Sequence, residues 1–436
     1  MPPLTLLGPR RPAIAQMLHY AFDPEDAVQR NIVRYGRTHW MKSLAGPILA
    51  TASPEHAKKI FAADPETFAT FAAVSLSGVL GARSVLVTHG PEHKRQRKLL
   101  TPPLHGPRLR AFGEQMKEIA LEHVSRLRQG QRFLAHELTT EFTLAVILRT
   151  VFGVDARSEL RTILLGMLDG FSPLAVFAPV LQTPWFPPFR RYLAARTAFY
   201  EALDRLIASR RAAGGIDRRA DVLSLLLEAK YDDGAPMDTE EIRDQLLTML
   251  VAGHETTAIS LAWVLDHALR RPAVLARLTE EVRGQTDPEA IAKLPYVGAV
   301  IDETMRISPV VTDAPRLARV PFELEPGLVV PAGTPVIVLI EGIHRDPAIY
   351  ADPATFRPER FLERRPAPTE FLPFGGGHRR CLGAAFSEHE ARIFLATLLS
   401  RVELETESPT PSKRVRRNVT MGPEDGVPLR VTRVLS

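Results

Sequence analysis

The chain has 436 residues, 45% of them apolar and 24% charged, a balance typical of a globular protein with a large core. Its 55 basic against 50 acidic residues leave a net charge of +5, and no zinc-ligand spacing, Walker-type loop or basic–aromatic interleaving accompanies that excess, which argues against a nucleic-acid partner. A single cysteine excludes an intramolecular disulfide, and the apolar run in Met1–Pro12 is too short for a signal peptide or anchor; a cytoplasmic protein without stable membrane insertion is expected.

Taken in order, the chain opens with Gly8-Pro9-Arg10 and Arg34-Tyr35-Gly36 around a short helix. Two strands are predicted within Thr38–Ala52, and a helix over Pro54–Phe61. Phe68–Val87 is small, apolar and weakly periodic, and reads as a long loop with helical pieces. His93-Lys94-Arg95-Gln96-Arg97 starts a basic helix, with His93 and Arg97 on one side at i, i+4 spacing. Most of Arg108–Arg211 reads as helix, interrupted over Phe171–Phe189 by five prolines. That interruption is apolar, carries Trp185 and Phe186, and either caps a pocket or touches a membrane.

The longest helix is predicted from Asp238 to about Arg271, roughly 50 Å at the α-helical rise. Asp238 and Glu241 have capping-box spacing, and Pro272 marks the stop. Midway lies Ala252-Gly253-His254-Glu255-Thr256-Thr257, whose glycine costs about 1 kcal/mol relative to alanine. A local kink that frees backbone carbonyls is expected there. Glu303 and Arg306 share a helix face near Ile307, a spacing equally present in Glu240/Arg243. Short strands follow over Val320–Ile340, with turns at Glu325-Pro326-Gly327 and Pro331-Ala332-Gly333. The tail closes on a strand over Val427–Val434. The fold class is mainly α with a minor β portion, forming one domain over residues 1–436.

The lone cysteine lies in Phe374-Gly375-Gly376-Gly377-His378-Arg379-Arg380-Cys381-Leu382-Gly383, before an amphipathic run. A helix N-terminus and two arginines favour its thiolate. This segment resembles the haem-binding loop of the cytochrome P450 superfamily at all five fixed positions. The other motifs occur in the family's order: basic helix, Ala-Gly-x-Glu-Thr-Thr, Glu-x-x-Arg, Pro-Glu-Arg-Phe, cysteine loop.

The resemblance implies the cytochrome P450 fold, with the long central helix crossing haem b (iron protoporphyrin IX). It makes Cys381 the axial thiolate. Phe374 would pack beside the haem loop, Gly377 would permit its turn, and Gly383 would let the next helix pack closely. His93, Arg97, Arg316 and Arg379 would meet the haem propionates, with Ala252 beside the ring. Glu255 and Thr256 would relay protons as dioxygen is cleaved, one oxygen atom leaving as water. Arg360 would join Glu303 and Arg306 in a buried charge triad. Substrate-lining positions would include Phe71, Val79, Thr248, Val251, Ala252, Val310, Val311 and Met421; His254 receives no role.

The implied activity is insertion of one oxygen atom of O2 into a small apolar molecule (terpenoid, steroid, fatty acid or macrolide-like). Electrons would come from NAD(P)H through a reductase and an acidic ferredoxin or flavodoxin, docking on Lys94, Arg95, Lys98, His378 and Arg380. The rivals are a haem-thiolate peroxygenase or isomerase, against which the Glu255–Thr256 pair weighs, and a haem-free cysteine hydrolase or binding protein.

Overall fold

A computed structural model describes residues 7–44, 46–155, 157–169 and 181–435. The chain runs through α1 (Ala13–Phe22), α2 (Pro24–Tyr35), β1 (Thr38–Ser43), β2 (Gly46–Thr51), α3 (Pro54–Ala62), β3 (Phe68–Thr70) and α4 (Ala73–Leu80). Next come α5 (Gly90–Leu100), α6 (Gly106–Val124), β4 (Arg132–Leu134), α7 (Ala135–Thr150), α8 (Glu159–Asp169), α9 (Pro187–Ala213) and α10 (Val222–Glu228). The central α11 (Thr239–Leu269) precedes α12 (Pro272–Val282), α13 (Pro288–Ile291) and α14 (Pro295–Ile307). Strands β5 (Asp313–Ala318), β6 (Phe322–Glu325), β7 (Leu328–Val330) and β8 (Pro335–Leu339) lead to α15 (Ile340–His344), α16 (Arg360–Glu363) and α17 (Ala384–Leu399). The chain ends in β9 (Val402–Thr406), β10 (Arg414–Arg417), β11 (Thr420–Pro423) and β12 (Pro428–Val434). The mainly helical class with a minor β portion is as expected.

The boundaries of α11 follow from local chemistry. Asp238 accepts from the backbone N–H of Glu241 at 2.8 Å, satisfying one orphan donor of the first turn. Half of the capping box is therefore present. The Glu241 side chain turns away to accept from Gln96 and from the Tyr231 hydroxyl, which ties α5 to the start of α11. Buried leucines and phenylalanines of the larger of two cores pack around α11, which itself buries Trp263. The second core lies between α3 and a five-stranded sheet ordered β1-β2-β8-β5-β3, in which only β2 and β8 run parallel. A separate sheet places β12 between β4 and β9, and β10–β11 form a hairpin.

The Phe68–Val87 stretch holds an expected helical piece, α4, which meets α9 through the Tyr192 hydroxyl on the Val79 carbonyl, and adds a strand, β3, that pairs with β5. Residues 170–180 of the proline-rich interruption lie outside the described residues, so its expected lid is followed only at its end. There Gln182 donates to the Ser75 carbonyl at 2.7 Å and Trp185 is exposed. Among the described residues no helix is long and apolar enough to cross a membrane.

Candidate functional site

The cysteine loop is shaped by backbone contacts. Cys381 N–H donates to the Phe374 carbonyl at 3.0 Å, and Arg380 N–H to that of Gly377 at 3.0 Å. Gly377 has φ +68°, and a Cβ there would stand 2.2 Å from the Phe61 carbonyl oxygen; any side chain meets both a strained conformation and a backbone clash. Gly383 is different. It caps α17 with an ordinary φ of −85° and has open space where a Cβ would project, so close helix packing does not explain it. Phe374 is half-buried against the main core, with the Arg380 guanidinium 5.8 Å from its ring centre.

The Cys381 thiol is accessible on one side and crowded by protein on the other, as at the wall of a concavity. Burial pushes its pKa up, against the Gly383 N–H and the charges of Arg380 and Arg97. The cations expected to favour the thiolate do lower the thiol's pKa, but desolvation is the larger influence on it.

Above this loop five nitrogenous side chains converge from three parts of the chain. His93 and Arg97 come from α5, Arg316 from β5, and His378 and Arg379 from the loop. Arg97 donates to the Arg380 carbonyl at 2.8 Å, Arg379 to that of Thr88, and Arg316 to that of Pro315 at 2.9 Å. The His93 and His378 rings meet edge to face at 5.7 Å. Burial, then repulsion from Arg379 and Arg97, holds His93 at about 3; His378 is held at about 4 by burial and the same arginines. Burial pulls Arg316 down to about 10, and burial with Arg316 and Arg97 does the same for Arg379. The Nε2 of His378 and Nε of Arg379 are buried without a hydrogen-bond partner. Such mutual repulsion calls for an anion. A planar cofactor with carboxylate arms and a metal for the sulfur fits this donor set, as haem does. His378, expected on an outer docking face, belongs instead to this inner cluster.

On the distal side α11 runs unbroken through Ala252–Thr257. The expected freeing of carbonyls is not seen, because side chains engage them. Thr256 Oγ1 donates to the Ala252 carbonyl at 2.8 Å, Thr257 to that of Gly253 at 3.1 Å, and Thr143 of α7 to that of His254 at 3.0 Å. Hydroxyl back-bonding of this kind bends helices without breaking them. Glu255 is half-buried, its pKa raised by burial and opposed by Arg417. His254 is a core histidine, its Nδ1 3.3 Å from the Leu250 carbonyl and its pKa lowered by burial to about 4.

Behind the loop, Glu303, Arg306 and Arg360 meet. Arg306 holds both carboxylate oxygens of Glu303, at 2.7 and 2.8 Å, and Arg360 Nε reaches one at 3.0 Å. Sequence reading missed a second knot. Glu341 of α15 takes Arg345 at 2.9 Å and Arg414 of β10 at 2.8 Å, and both arginines also reach Glu25 of α2. Burial opposes ionisation of Glu341, but the arginines prevail and hold it at about 2. Its i, i+4 pair with Arg345 was a visible signal; Arg414, 73 residues on, and Glu25, 320 residues before Arg345, were not.

The expected substrate positions divide. Phe71, Val251, Ala252, Val310 and Val311 keep accessible surface. Val79, Thr248 and Met421 do not, at 2%, 4% and 1% exposure. Val79 sits in the core under Tyr192, and Thr248 hydrogen-bonds the Asp244 carbonyl and Ser84. Met421 is fastened by its N–H to the Val310 carbonyl and by its own carbonyl to Trp263. These three are removed from the pocket wall.

Comparison with known proteins gives a coherent result. The family model described as cytochrome P450 matches residues 7–427. Relatives named cytochrome P450 138 in Mycobacterium tuberculosis and Mycobacterium bovis are 34% identical over 432 residues, covering 98% of this chain and 96% of theirs. Cytochrome P450 135B1 of Mycobacterium tuberculosis is 35% identical over 438 residues, covering 97% and 90%. Among solved structures, the retinoic acid-bound cyanobacterial CYP120A1 aligns at TM-score 0.86 over 100% of this chain and 99% of that one. At 22% identity the likeness is one of fold.

Proposed function

This chain belongs to the cytochrome P450 family, and from that premise we propose a full assignment of its site, substrate class and electron source. As a member it is a haem-thiolate monooxygenase, fed by a redox partner and acting on a small organic molecule. The proposal takes residues 1–436 as one domain working in the cytoplasm. The observation that carries the site assignment is the cluster of Arg97, Arg316 and Arg379 with His93 and His378 beside the lone Cys381, three guanidinium groups for which the described residues supply no ion-pair partner.

Cys381 holds the iron, and Arg97, Arg316 and Arg379 take the propionates with His93. The bound haem supplies the oxidising chemistry by which one atom of O2 enters substrate. The protein's share is proton supply and a dry, shaped cavity. Glu255 is suited to hold and pass a proton because burial opposes its ionisation, and Thr256 Oγ1 stands one residue further along α11. Phe71, Val251, Val310 and Val311 offer an aliphatic and aromatic wall, which favours a terpenoid, steroid, fatty acid or macrolide-like substrate over a charged one.

Thr256→Ala tests the relay. It should leave substrate binding and the ferrous–carbon monoxide spectrum intact. Product per NAD(P)H consumed should fall by about tenfold or more, with peroxide released instead. Unchanged coupling would remove Thr256 from the mechanism.

For electrons we assign an acidic ferredoxin or flavodoxin, with a reductase drawing on NAD(P)H, docking over α5 and Arg380. The surface is less positive than its sequence implied. Lys98 pairs with Asp232 at 2.6 Å and Arg95 with Asp233 at 3.0 Å, Arg95 also lying 3.7 Å over the Tyr231 ring. Exposed pairs of this kind contribute at most about 1 kcal/mol, so a partner can displace them. Lys94→Glu with Lys98→Glu should slow ferredoxin-supported reduction and flatten its salt dependence, leaving a peroxide-driven reaction unchanged. Equal slowing of both routes would move the docking face elsewhere.

A further inference from the structure

We propose that α1 and the arginine-lined hollow beside it form a docking surface for the anionic face of a lipid bilayer, to which the enzyme attaches without spanning it. A surface helix ordinarily turns its apolar side inward and its polar side to water. In α1 that arrangement is reversed. Its exposed residues are Ile14, Ala15, Met17, Leu18 and Phe22, and the four large ones keep 42–77% of their surface. At i, i+3, i+4 and i+8 those four make one stripe along the helix, which is about 15 Å long. None of the ten residues of α1 is Asp, Glu, Lys or Arg.

The polar side chains of α1 face the protein instead. Gln16 is buried, donating to the Pro9 and Arg11 carbonyls at 3.1 and 2.7 Å and accepting from the Lys42 N–H at 3.1 Å. His19 meets Asp26 of α2 at 2.8 Å, and the Tyr20 hydroxyl donates to Asp313 of β5 at 2.6 Å. Arg416 of β10 donates to the Ala21 carbonyl at 3.1 Å. Rolling the stripe inward would break these bonds, so the outward apolar face is held by the fold. Single exposed apolar side chains are ordinary on protein surfaces, whereas a contiguous stripe of them marks a surface that meets something apolar.

The surrounding charges identify the occupant. Arg10 and Arg11 precede the helix directly, and with Arg30 and Arg34 of α2 they line a cavity of about 470 Å³ over Ala27 and Met41. Arg30 pairs with Asp26 at 2.7 Å, but among the described residues no carboxylate pairs with Arg10, Arg11 or Arg34. The nearby acids are engaged elsewhere: Glu25 takes Arg345 and Arg414, and Asp23 accepts the Asp26 N–H at the start of α2. Leu7, which lines the same hollow, and Val33, next to Arg34, are exposed as well. An apolar stripe bordered by unpaired guanidinium groups matches a bilayer of anionic lipid. The stripe enters the acyl boundary while the arginines hold headgroup phosphates. A second copy of the chain seated on the same stripe would set these arginines against their own like charges. Ten residues are too few to cross the hydrocarbon core, so the attachment is peripheral.

The test is co-sedimentation of the holoenzyme with large unilamellar vesicles, made of phosphatidylcholine alone or of an equal mixture with phosphatidylglycerol. Binding to the mixed vesicles is expected, weakening as salt is added, with far less binding to phosphatidylcholine alone. Arg10→Gln with Arg11→Gln and Arg34→Gln should weaken binding to the mixed vesicles by about a hundredfold. Leu18→Gln with Phe22→Gln leaves every charge in place and should weaken it by about tenfold or more. All five side chains are exposed, so both variants should match wild type in haem content and in the ferrous–carbon monoxide spectrum. No binding to the mixed vesicles, or binding undiminished by Leu18→Gln with Phe22→Gln, overturns the proposal. So does a concentration-dependent dimer that the same two substitutions dissolve, since a second copy would then be the occupant.

Discussion

Cys381→Ser should fold, and should lose both the thiolate-type ferrous–carbon monoxide spectrum and all oxygenation. Folding is expected because the loop is closed by main-chain bonds, Cys381 N–H to Phe374 and Arg380 N–H to Gly377, neither of which involves the sulfur. Serine has nearly the same shape, so the cradle formed by Gly377 against Phe61 is undisturbed. The loss is electronic. A serine hydroxyl ionises far less readily than a thiol, and burial that pushes the Cys381 thiol up opposes an alkoxide still more. The arginines and histidines remain to hold haem by its propionates, so haem content should fall less than activity. A variant that kept the red-shifted carbonyl band of thiolate ligation would show that Cys381 is not the axial ligand.

What sequence could tell depended on where each partner lies. The ends of α11 were legible because caps are local: Asp238 and Pro272 sit where the helix begins and where the next one starts. The pairing of β2 with β8 was not, since it joins Leu49 to Val336 and neither segment carries a mark of the other. The cysteine loop was legible from its motif, but the state of the sulfur was not. Counting nearby arginines omits the desolvation that reverses their effect. Thr248 and Met421 read as pocket residues because nothing in the sequence shows Ser84 or Trp263 arriving to cover them. His378 looked exposed beside Arg379, yet its ring packs on His93 from a helix almost three hundred residues earlier.

Glu303→Ala should be the most damaging substitution away from the haem ligand, costing about 3–5 kcal/mol of stability. Glu303 and Arg306 are fully buried and Arg360 is nearly so. The carboxylate takes both arginines and also the Arg357 N–H at 2.8 Å. The arginines in turn tie the segment before α16 to α14. Arg306 donates to the carbonyls of His344 and Pro353 at 2.8 Å each, and Arg360 to those of Ala351 and Thr355 at 3.1 Å each. Tyr350 lies beneath both guanidinium groups, 5.1 and 6.0 Å from its ring centre. Taking away the one anion leaves two buried cations facing each other, which is why the loss exceeds that of a surface pair several-fold. The segment so fixed leads directly into the cysteine loop, so the variant should release haem more readily as well as unfold at lower denaturant. Glu303→Gln keeps the shape and some hydrogen bonds but not the charge, and should fall between wild type and alanine. Equilibrium denaturation of the holoenzyme, followed by both haem absorbance and far-ultraviolet circular dichroism, measures this. A Glu303→Ala midpoint within about 1 kcal/mol of wild type, the range of an exposed pair, would show that the three side chains do not act as a buried unit.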